Sequence, residues 1–271
     1  MSRRCSIPEV PIALLAGVLL ALTAATAQAA TPWAQARQMV VVATADWDAD
    51  GGRMLRFEKD AAGWRQVAAA EPVRIGRAGS AWGLGLHPDQ AGTRKREGDG
   101  RSPAGIFGIG DAFGYAADAH TALSYRAMQA SDYCIDVPGS PLYNRIVDAD
   151  EVGAAAVEGS TEPMRRDLHA DGDGRYAQGF VIEHNPGNRS PAGSCIFAHV
   201  WKAADVATAG CTAMPAGRMA ALLDWLDPAA QPVFVLLPEA AYARLQAPWH
   251  LPRLPPAPTS TPPAAKDPSN D

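Results

Sequence analysis

At positions 194–201 the chain reads Ser-Cys-Ile-Phe-Ala-His-Val-Trp, and at positions 208–211 it reads Thr-Ala-Gly-Cys. Side chains alternate between the two faces of a strand, so Cys195, His199 and Trp201 fall on one face and their apolar neighbours on the other. Gly210 allows the backbone to approach closely just before Cys211. The stretch therefore predicts a half-buried strand, a short loop and a tight turn that presents a thiol.

Similar short runs of strand-forming residues occur along the chain, separated by Gly, Pro, Asp and Asn. Their spacing favours a mostly β protein with a few short helices, built as a sandwich or barrel, over alternating βα units. Two long loops are expected at 90–103 and 158–176. The predicted strands are 39–44, 53–58, 64–68, 73–75, 133–137, 179–183, 195–201 and 232–237.

Two helices are predicted near the C-terminus. Met219, Leu222, Leu223 and Leu226 recur at the spacing of one helical face, and Pro228 ends that pattern. A second short helix is expected at 239–245.

The N-terminus has the form of a cleavable secretory signal: Arg3 and Arg4, a short apolar run, and Ala27-Gln28-Ala29. We expect a signal peptide at 1–29, a catalytic domain at 30–246 and a disordered Pro-rich tail at 247–271. The protein is then exported or periplasmic, with no stable membrane anchor after cleavage. Its net charge of −5 gives no general attraction to nucleic acid.

Three cysteines remain after removal of the leader: Cys134, Cys195 and Cys211. In an oxidising compartment two of them are expected to pair, and the sequence alone does not say which. If Cys211 is the reactive thiol, Cys134 and Cys195 form the disulfide. The alternative is three buried thiols.

The chemistry points to Cys211 as a nucleophile and His199 as its base, because an imidazole within hydrogen-bond reach helps to form a thiolate. Backbone amides at Gly210 and Cys211 are suited to holding an oxyanion. The competing interpretation is a core histidine and a buried cysteine.

The same residues resemble the signature of the L,D-transpeptidase catalytic domain, in which a strand histidine precedes a Ser/Thr-x-Gly-Cys turn. Three further segments are similar to that family, and together the resemblance covers roughly residues 75 to 238. These segments are 98–107, 136–144 and 181–185.

This resemblance implies a cell-wall-associated protein with a β-sandwich or barrel of the L,D-transpeptidase type. It is expected to act as a monomer on peptidoglycan stem peptides, without cofactor or metal. Cys211 attacks the L-to-D bond of a tetrapeptide stem, D-alanine leaves, and an amine acceptor takes the acyl group, which serves cell-wall cross-linking or remodelling. Substrate contacts are then expected from Thr208, Ala209, His184 and Asn185, and an aromatic contact from Trp201.

Two positions depart from the common family pattern. Val200 stands where many members have Gly, and Ala213 stands where many have Arg. The missing positive charge is expected to come from Arg101, Arg145 or Arg189.

Other functions fit parts of the sequence. A murein L,D-carboxypeptidase or amidase-type hydrolase would use the same site with water as acceptor, and a non-catalytic wall-binding module would keep only the fold. A zinc peptidase would draw on His169, Asp171, His184 or His199, although no tight metal-ligand spacing is present.

Overall fold

The computed structural model describes residues 31–256 and confirms a mostly β protein with short helices. The predicted signal peptide and residues 257–271 of the predicted tail lie outside the described residues. The strands are β1 (Gln38–Thr44), β2 (Gly51–Asp60), β3 (Gly63–Gln66), β4 (Glu71–Arg74), β5 (Ser80–Trp82), β6 (Ser102–Gly114), β7 (Tyr125–Ala127), β8 (Asp132–Cys134), β9 (Ile146–Asp148), β10 (Glu162–Pro163), β11 (Gln178–Ile182), β12 (Phe197–Val200), β13 (Thr212–Met214) and β14 (Val233–Pro238).

Eight strands close into a mixed barrel in the order β1-β14-β6-β11-β12-β13-β4-β2, and β2 pairs back onto β1. Pairing is parallel between β1 and β14 and between β12 and β13, and antiparallel elsewhere around the barrel. A closed barrel leaves no unpaired edge among these strands. The architecture is therefore a barrel, one of the two forms that the sequence favours.

The barrel interior is apolar, and helices cover part of its outside. Every residue of β1 is buried, because one face of this strand lies in the barrel interior and α5 contacts the strand. Such a strand reads as a continuous apolar run instead of an alternating one. The helices are α1 (Ala149–Val152), α2 (Ala154–Val157), α3 (Arg166–His169), α4 (Ala216–Trp225) and α5 (Glu239–Leu245). No helix within residues 31–256 has both the length and the apolar character needed to cross a membrane.

A second layer lies against the outer face of β12. It consists of a small sheet in the order β10-β8-β9 and a 3-10 turn at Gly174–Tyr176. Phe113, Phe197 and Tyr176 pack edge to face in this layer and form a second apolar cluster outside the barrel. The segment 158–176 is thus a covering layer with secondary structure of its own, where the sequence predicts a loop.

The packed chain continues beyond residue 246, which corrects the predicted start of a disordered tail at 247. Trp249 and Leu251 are buried, and Trp249 packs edge to face on Trp33. The Tyr242 hydroxyl donates a hydrogen bond to the carbonyl of Pro252 at 2.8 Å. Large apolar side chains thus keep this Pro-rich segment on the barrel.

Candidate active site

The pairing of β12 with β13 brings Cys211 and His199 onto one face. His199 is in register with Ala213, and Ala198 with Thr212. Cys211 stands two residues before Ala213, so its side chain projects on the same side of the sheet as His199. The thiol and the imidazole therefore project from neighbouring strands into the layer that also contains Tyr176, whose ring lies 5.1 Å from that of His199.

Backbone contacts fix the orientation and tautomer of His199. Nδ1 lies 2.8 Å from the carbonyl oxygen of Val200. A carbonyl only accepts hydrogen bonds, so Nδ1 carries the proton and Nε2 keeps a lone pair. The ring is therefore set up as a base through Nε2.

The thiol of Cys211 is held by the strand that carries His199. Sγ donates to the carbonyl of Cys195 at 3.4 Å and accepts from the Phe197 amide at 3.3 Å. Cys211 is 8 % exposed, and burial raises the pKa of its thiol to about 12, with the Glu162 charge adding to the effect. Burial lowers the pKa of His199 to about 4. At neutral pH both groups are therefore uncharged.

Two hydroxyls pin the turn that presents Cys211. Thr208 Oγ1 donates to the Cys211 carbonyl at 2.6 Å and accepts from the Gly210 amide at 3.1 Å. Ser102 Oγ donates to the carbonyl of Gly210 at 2.6 Å and approaches that of Cys211 at 3.2 Å. The role of Thr208 is therefore to position the turn, and Ala209 is exposed on the turn's surface.

Gly210 lies close to the backbone that leads into β6. A Cβ at this position would lie 3.1 Å from the carbonyl oxygen of Arg101. The Gly210 amide is bound to Thr208, so it is not a free donor for an oxyanion. The amide of Cys211 is the better candidate for that role.

Cys134 and Cys195 form a disulfide, as expected if Cys211 is the reactive thiol, and Cys211 is free. Cys195 also has a left-handed backbone, with φ of 55°. Its amide donates to Asn144 Oδ1 at 2.9 Å, while its carbonyl accepts from the Cys211 thiol. The disulfide therefore fixes a residue that contacts the nucleophile directly, and this left-handed residue delays the start of β12 to Phe197.

A charged network caps the aromatic layer over His199. Tyr176 donates its hydroxyl to Glu162 at 2.6 Å, and the Arg166 guanidinium stacks over its ring at 5.6 Å. Asp173 pairs with both Arg166 and Arg175. The charges of Arg175 and Arg166 contribute to the lowered pKa of His199. The sequence did not single out these two arginines. Both are paired with carboxylates, Arg166 with Glu162 and Asp173, and Arg175 with Asp173.

The three arginines expected to supply the missing charge lie in different places. Arg101 is paired with Asp48, and Arg189 is exposed in the loop after Asn185. Arg145 lines a cleft of about 430 Å³ beside the disulfide, together with Asp111 and Glu183. Cys195 and Phe197, whose backbone holds the thiol, line the same cleft. Of the three arginines, Arg145 is therefore the one that lines this cleft, whereas Arg101 approaches the Gly210 turn through its backbone carbonyl.

His184 and Asn185 do not have the exposed position expected of substrate contacts. His184 accepts from the Leu84 amide and reaches the carbonyl of Ala192 at 3.0 Å, and burial lowers its pKa to about 4. Asn185 is fully buried, and its amide group donates to the carbonyls of Arg189 and Gly193. Both side chains hold the 185–193 loop. Trp201 is half-buried just beyond β12.

The residues of the zinc hypothesis do not assemble into a site. Within residues 31–256 no group of three or more His, Cys, Asp or Glu side chains is arranged to hold a metal ion. His169 instead contacts the carbonyl of Ala130 at 2.7 Å, and His184 and His199 contact backbone carbonyls as described above. Each of the three rings thus has a backbone partner.

Comparison with known proteins leaves the family open. No protein-family model matches the chain, and no curated protein matches it. Among solved structures, the one titled "Structure of Bdellovibrio bacteriovorus Bd1075" is similar over 79% of this chain and 55% of that chain, with 11% identity and a TM-score of 0.38. The chain thus spans about half the length of that protein. A likeness at this level carries no argument, so the resemblance to L,D-transpeptidases stays a prediction.

Proposed function

We propose that the protein is a cysteine acyltransferase of the L,D-transpeptidase type that acts on the peptide stems of peptidoglycan. The observation that carries the proposal is the placement of the free Cys211 thiol and the His199 imidazole on one face of paired strands, with Nε2 of His199 unprotonated. Among the cysteines of residues 31–256, the other two are joined, which leaves one thiol there for covalent chemistry.

The neutral state of both groups determines the first step. His199 Nε2 takes the proton from Cys211 as Sγ attacks the carbonyl of the L-to-D bond, so deprotonation accompanies attack. The C–S bond forms and the carbonyl oxygen becomes an oxyanion facing the Cys211 amide. When the tetrahedral intermediate collapses, the C–N bond breaks, and His199 returns its proton to the departing D-alanine amine.

The second step passes the acyl group on. An acceptor amine attacks the thioester, His199 removes a proton from that amine, and the C–S bond breaks to release Cys211 as the thiol. Water in place of the amine gives hydrolysis, which is the carboxypeptidase alternative. Nothing in the chemistry of Cys211 and His199 themselves separates the two acceptors.

The cleft beside the disulfide suits a substrate that carries both charges. Asp111, Glu183 and Arg145 are exposed on its walls, and none of them forms an ion pair with another described residue. Asp111 and Glu183 attract an ammonium group, and Arg145 attracts a carboxylate. A peptide stem with a free amine and a terminal carboxylate presents this pattern. Because Cys211 is buried, productive binding also requires the covering layer at 158–176 to move.

The disulfide also supports the proposed export of the protein. Stable disulfides are typical of extracellular and periplasmic proteins, because cytosolic thiols are kept reduced. Murein stems are found in the same compartment.

The test is mass spectrometry of purified disaccharide-tetrapeptide after incubation with the protein. Loss of alanine together with dimer formation is expected, and it should vanish in Cys211→Ala and persist in the control Lys202→Ala, which alters an exposed residue of the 201–207 loop. Loss of alanine without dimers would identify a carboxypeptidase. Turnover by Cys211→Ala, or sacculus binding without turnover by the wild type, would refute the proposed enzyme.

A further inference from the structure

A second cavity, of about 660 Å³, lies apart from the cleft beside the disulfide and shares no residue with it. Trp47, Trp82, Asp48, Arg101 and Arg244 line it, over a floor of small residues. Its volume falls in the usual range for small-ligand sites, which combine aromatic walls with a few polar groups. Its lining contains neither Cys211 nor His199, and it also lacks Cys195 and Phe197, whose backbone holds the thiol and which line the cleft beside the disulfide. The acyl-transfer chemistry therefore leaves this cavity unexplained.

Two tryptophans form the aromatic wall. Trp47 and Trp82 meet edge to face at 5.0 Å, and Trp82 is buried while Trp47 is partly exposed. Gly92 has φ of 126°, and a Cβ there would lie 3.2 Å from the Trp82 ring. Trp47 therefore offers an indole surface that packs on Trp82, beside a floor without bulky side chains. Such a surface suits the apolar C–H face of a sugar ring.

The three charged side chains that line the cavity differ in their partners and exposure. Arg101 is held in place by Asp48, at 3.0 Å, and by the carbonyls of Trp47 and Ser80. Arg244 is exposed on α5 and pairs with no acidic side chain in residues 31–256. Asp48 keeps most of its side chain exposed, which leaves carboxylate lone pairs for hydroxyl donors. The charged lining thus consists of two cations and one anion, so it attracts a negatively charged ligand.

We propose that this cavity binds an acidic sugar, with the ring against Trp47, a hydroxyl on Asp48 and the carboxylate on Arg244. Guanidinium groups bind carboxylates well because their planar donors match the two oxygens. The site is independent of the acyl-transfer proposal. One of its lining residues, Arg101, directly precedes Ser102, whose hydroxyl holds the Cys211 turn.

The test is calorimetric titration of the full chain with three probes. N-acetylmuramic acid combines a sugar ring and a carboxylate, N-acetylglucosamine lacks the carboxylate, and D-lactate lacks the ring. N-acetylmuramic acid is expected to bind about tenfold tighter than either of the others. N-acetylglucosamine lacks the charged hydrogen-bonded contact, and D-lactate lacks the ring contact. Equal binding of the neutral sugar, equal binding of lactate, or no binding of the acidic sugar would overturn the proposal.

Single-residue variants test whether the acidic sugar binds in this cavity. Arg244→Gln should weaken N-acetylmuramic acid about tenfold and leave N-acetylglucosamine unchanged, since only the charged contact is lost. The matched control Arg65→Gln alters an exposed arginine outside the cavity and should change nothing. Cys211→Ala should bind like the wild type. An unchanged Arg244→Gln, or a loss of binding in Cys211→Ala, would place the sugar elsewhere and refute the site.

Discussion

The hydroxyl of Thr208 is expected to matter for both stability and catalysis, and Thr208→Val separates the two effects. Valine keeps the shape of threonine but removes the hydrogen bonds to the Cys211 carbonyl and from the Gly210 amide. Each such bond contributes about 1 kcal/mol, so the free energy of unfolding should fall by about 2 kcal/mol. For a domain of this size the melting temperature should drop by roughly 4–8 °C.

Activity should fall further than stability alone explains. Without the hydroxyl the turn loses its link between Gly210 and Cys211, and Ser102 alone holds the two carbonyls. A displacement of about 1 Å at a reacting group costs on the order of 100-fold in rate. We expect kcat/KM for D-alanine release to fall by roughly 10- to 100-fold at a temperature where the variant is fully folded.

Thr121→Val is the matched control. Thr121 also donates to one carbonyl, that of Leu223 at 2.9 Å, and accepts from one amide, that of Leu123 at 3.2 Å. It lies outside the active-site cluster. The two variants should lose similar stability, and only Thr208→Val should lose activity. Equal kinetics in the two variants would show that the hydroxyl has no part in positioning Cys211.

Three further outcomes follow from the site. The pKa of His199 is lowered to about 4 from its ordinary 6.5, so the folded state favours the neutral ring, and stability falls as pH drops from about 6.5 to 4. At pH 4 the free energy of unfolding is therefore lower by about 3 kcal/mol than near neutral pH, and this contribution should be absent in His199→Gln. If His199→Gln shows the same pH dependence of unfolding as the wild type, the effect does not come from His199. Cys211, buried with its pKa raised to about 12, should react with iodoacetamide at pH 8 on the order of 100-fold more slowly than free cysteine, and a rate equal to that of free cysteine would show an open thiol. The Cys134→Ala/Cys195→Ala double variant should lose about 4 kcal/mol in urea unfolding, because the disulfide closes a sequence separation of 61; unfolding at the wild-type urea concentration would refute this.

Helices with a clear periodicity were predictable from the sequence. The face formed by Met219, Leu222 and Leu223 is buried in α4, and α5 spans the predicted residues 239–245. The apolar β1 run was equally clear. In these segments the local pattern and the tertiary environment favour the same structure.

The longest strand, β6, was not predicted from the residue pattern. It spans Ser102–Gly114, and Gly105, Gly108 and Gly110 weaken its strand pattern. A Cβ at Gly105 would collide with the ring of His87, and one at Gly108 would collide with Glu183. The glycines are therefore required by side chains from elsewhere in the fold. Single-sequence patterns do not contain that information.

The candidate site was predicted in part. Cys211 and His199 stand in a short motif that the sequence shows directly, whereas the Cys134–Cys195 pairing followed only if Cys211 is the reactive thiol. The roles of His184 and Asn185 depend on hydrogen bonds to a loop up to eight residues away. The cap formed by Tyr176, Arg166 and Arg175 depends on the packing of the second layer. Such contacts arise from tertiary structure, so only the folded chain shows them.

Intact-protein mass spectrometry with peptide mapping shows whether Cys211 carries the acyl group. After a short incubation with murein tetrapeptide is quenched, we expect a mass increase equal to the stem without its terminal alanine, located on the peptide that contains Cys211 and removed by hydroxylamine. Acylation at another residue, or release of alanine with no adduct at Cys211 in single-turnover conditions, would contradict it.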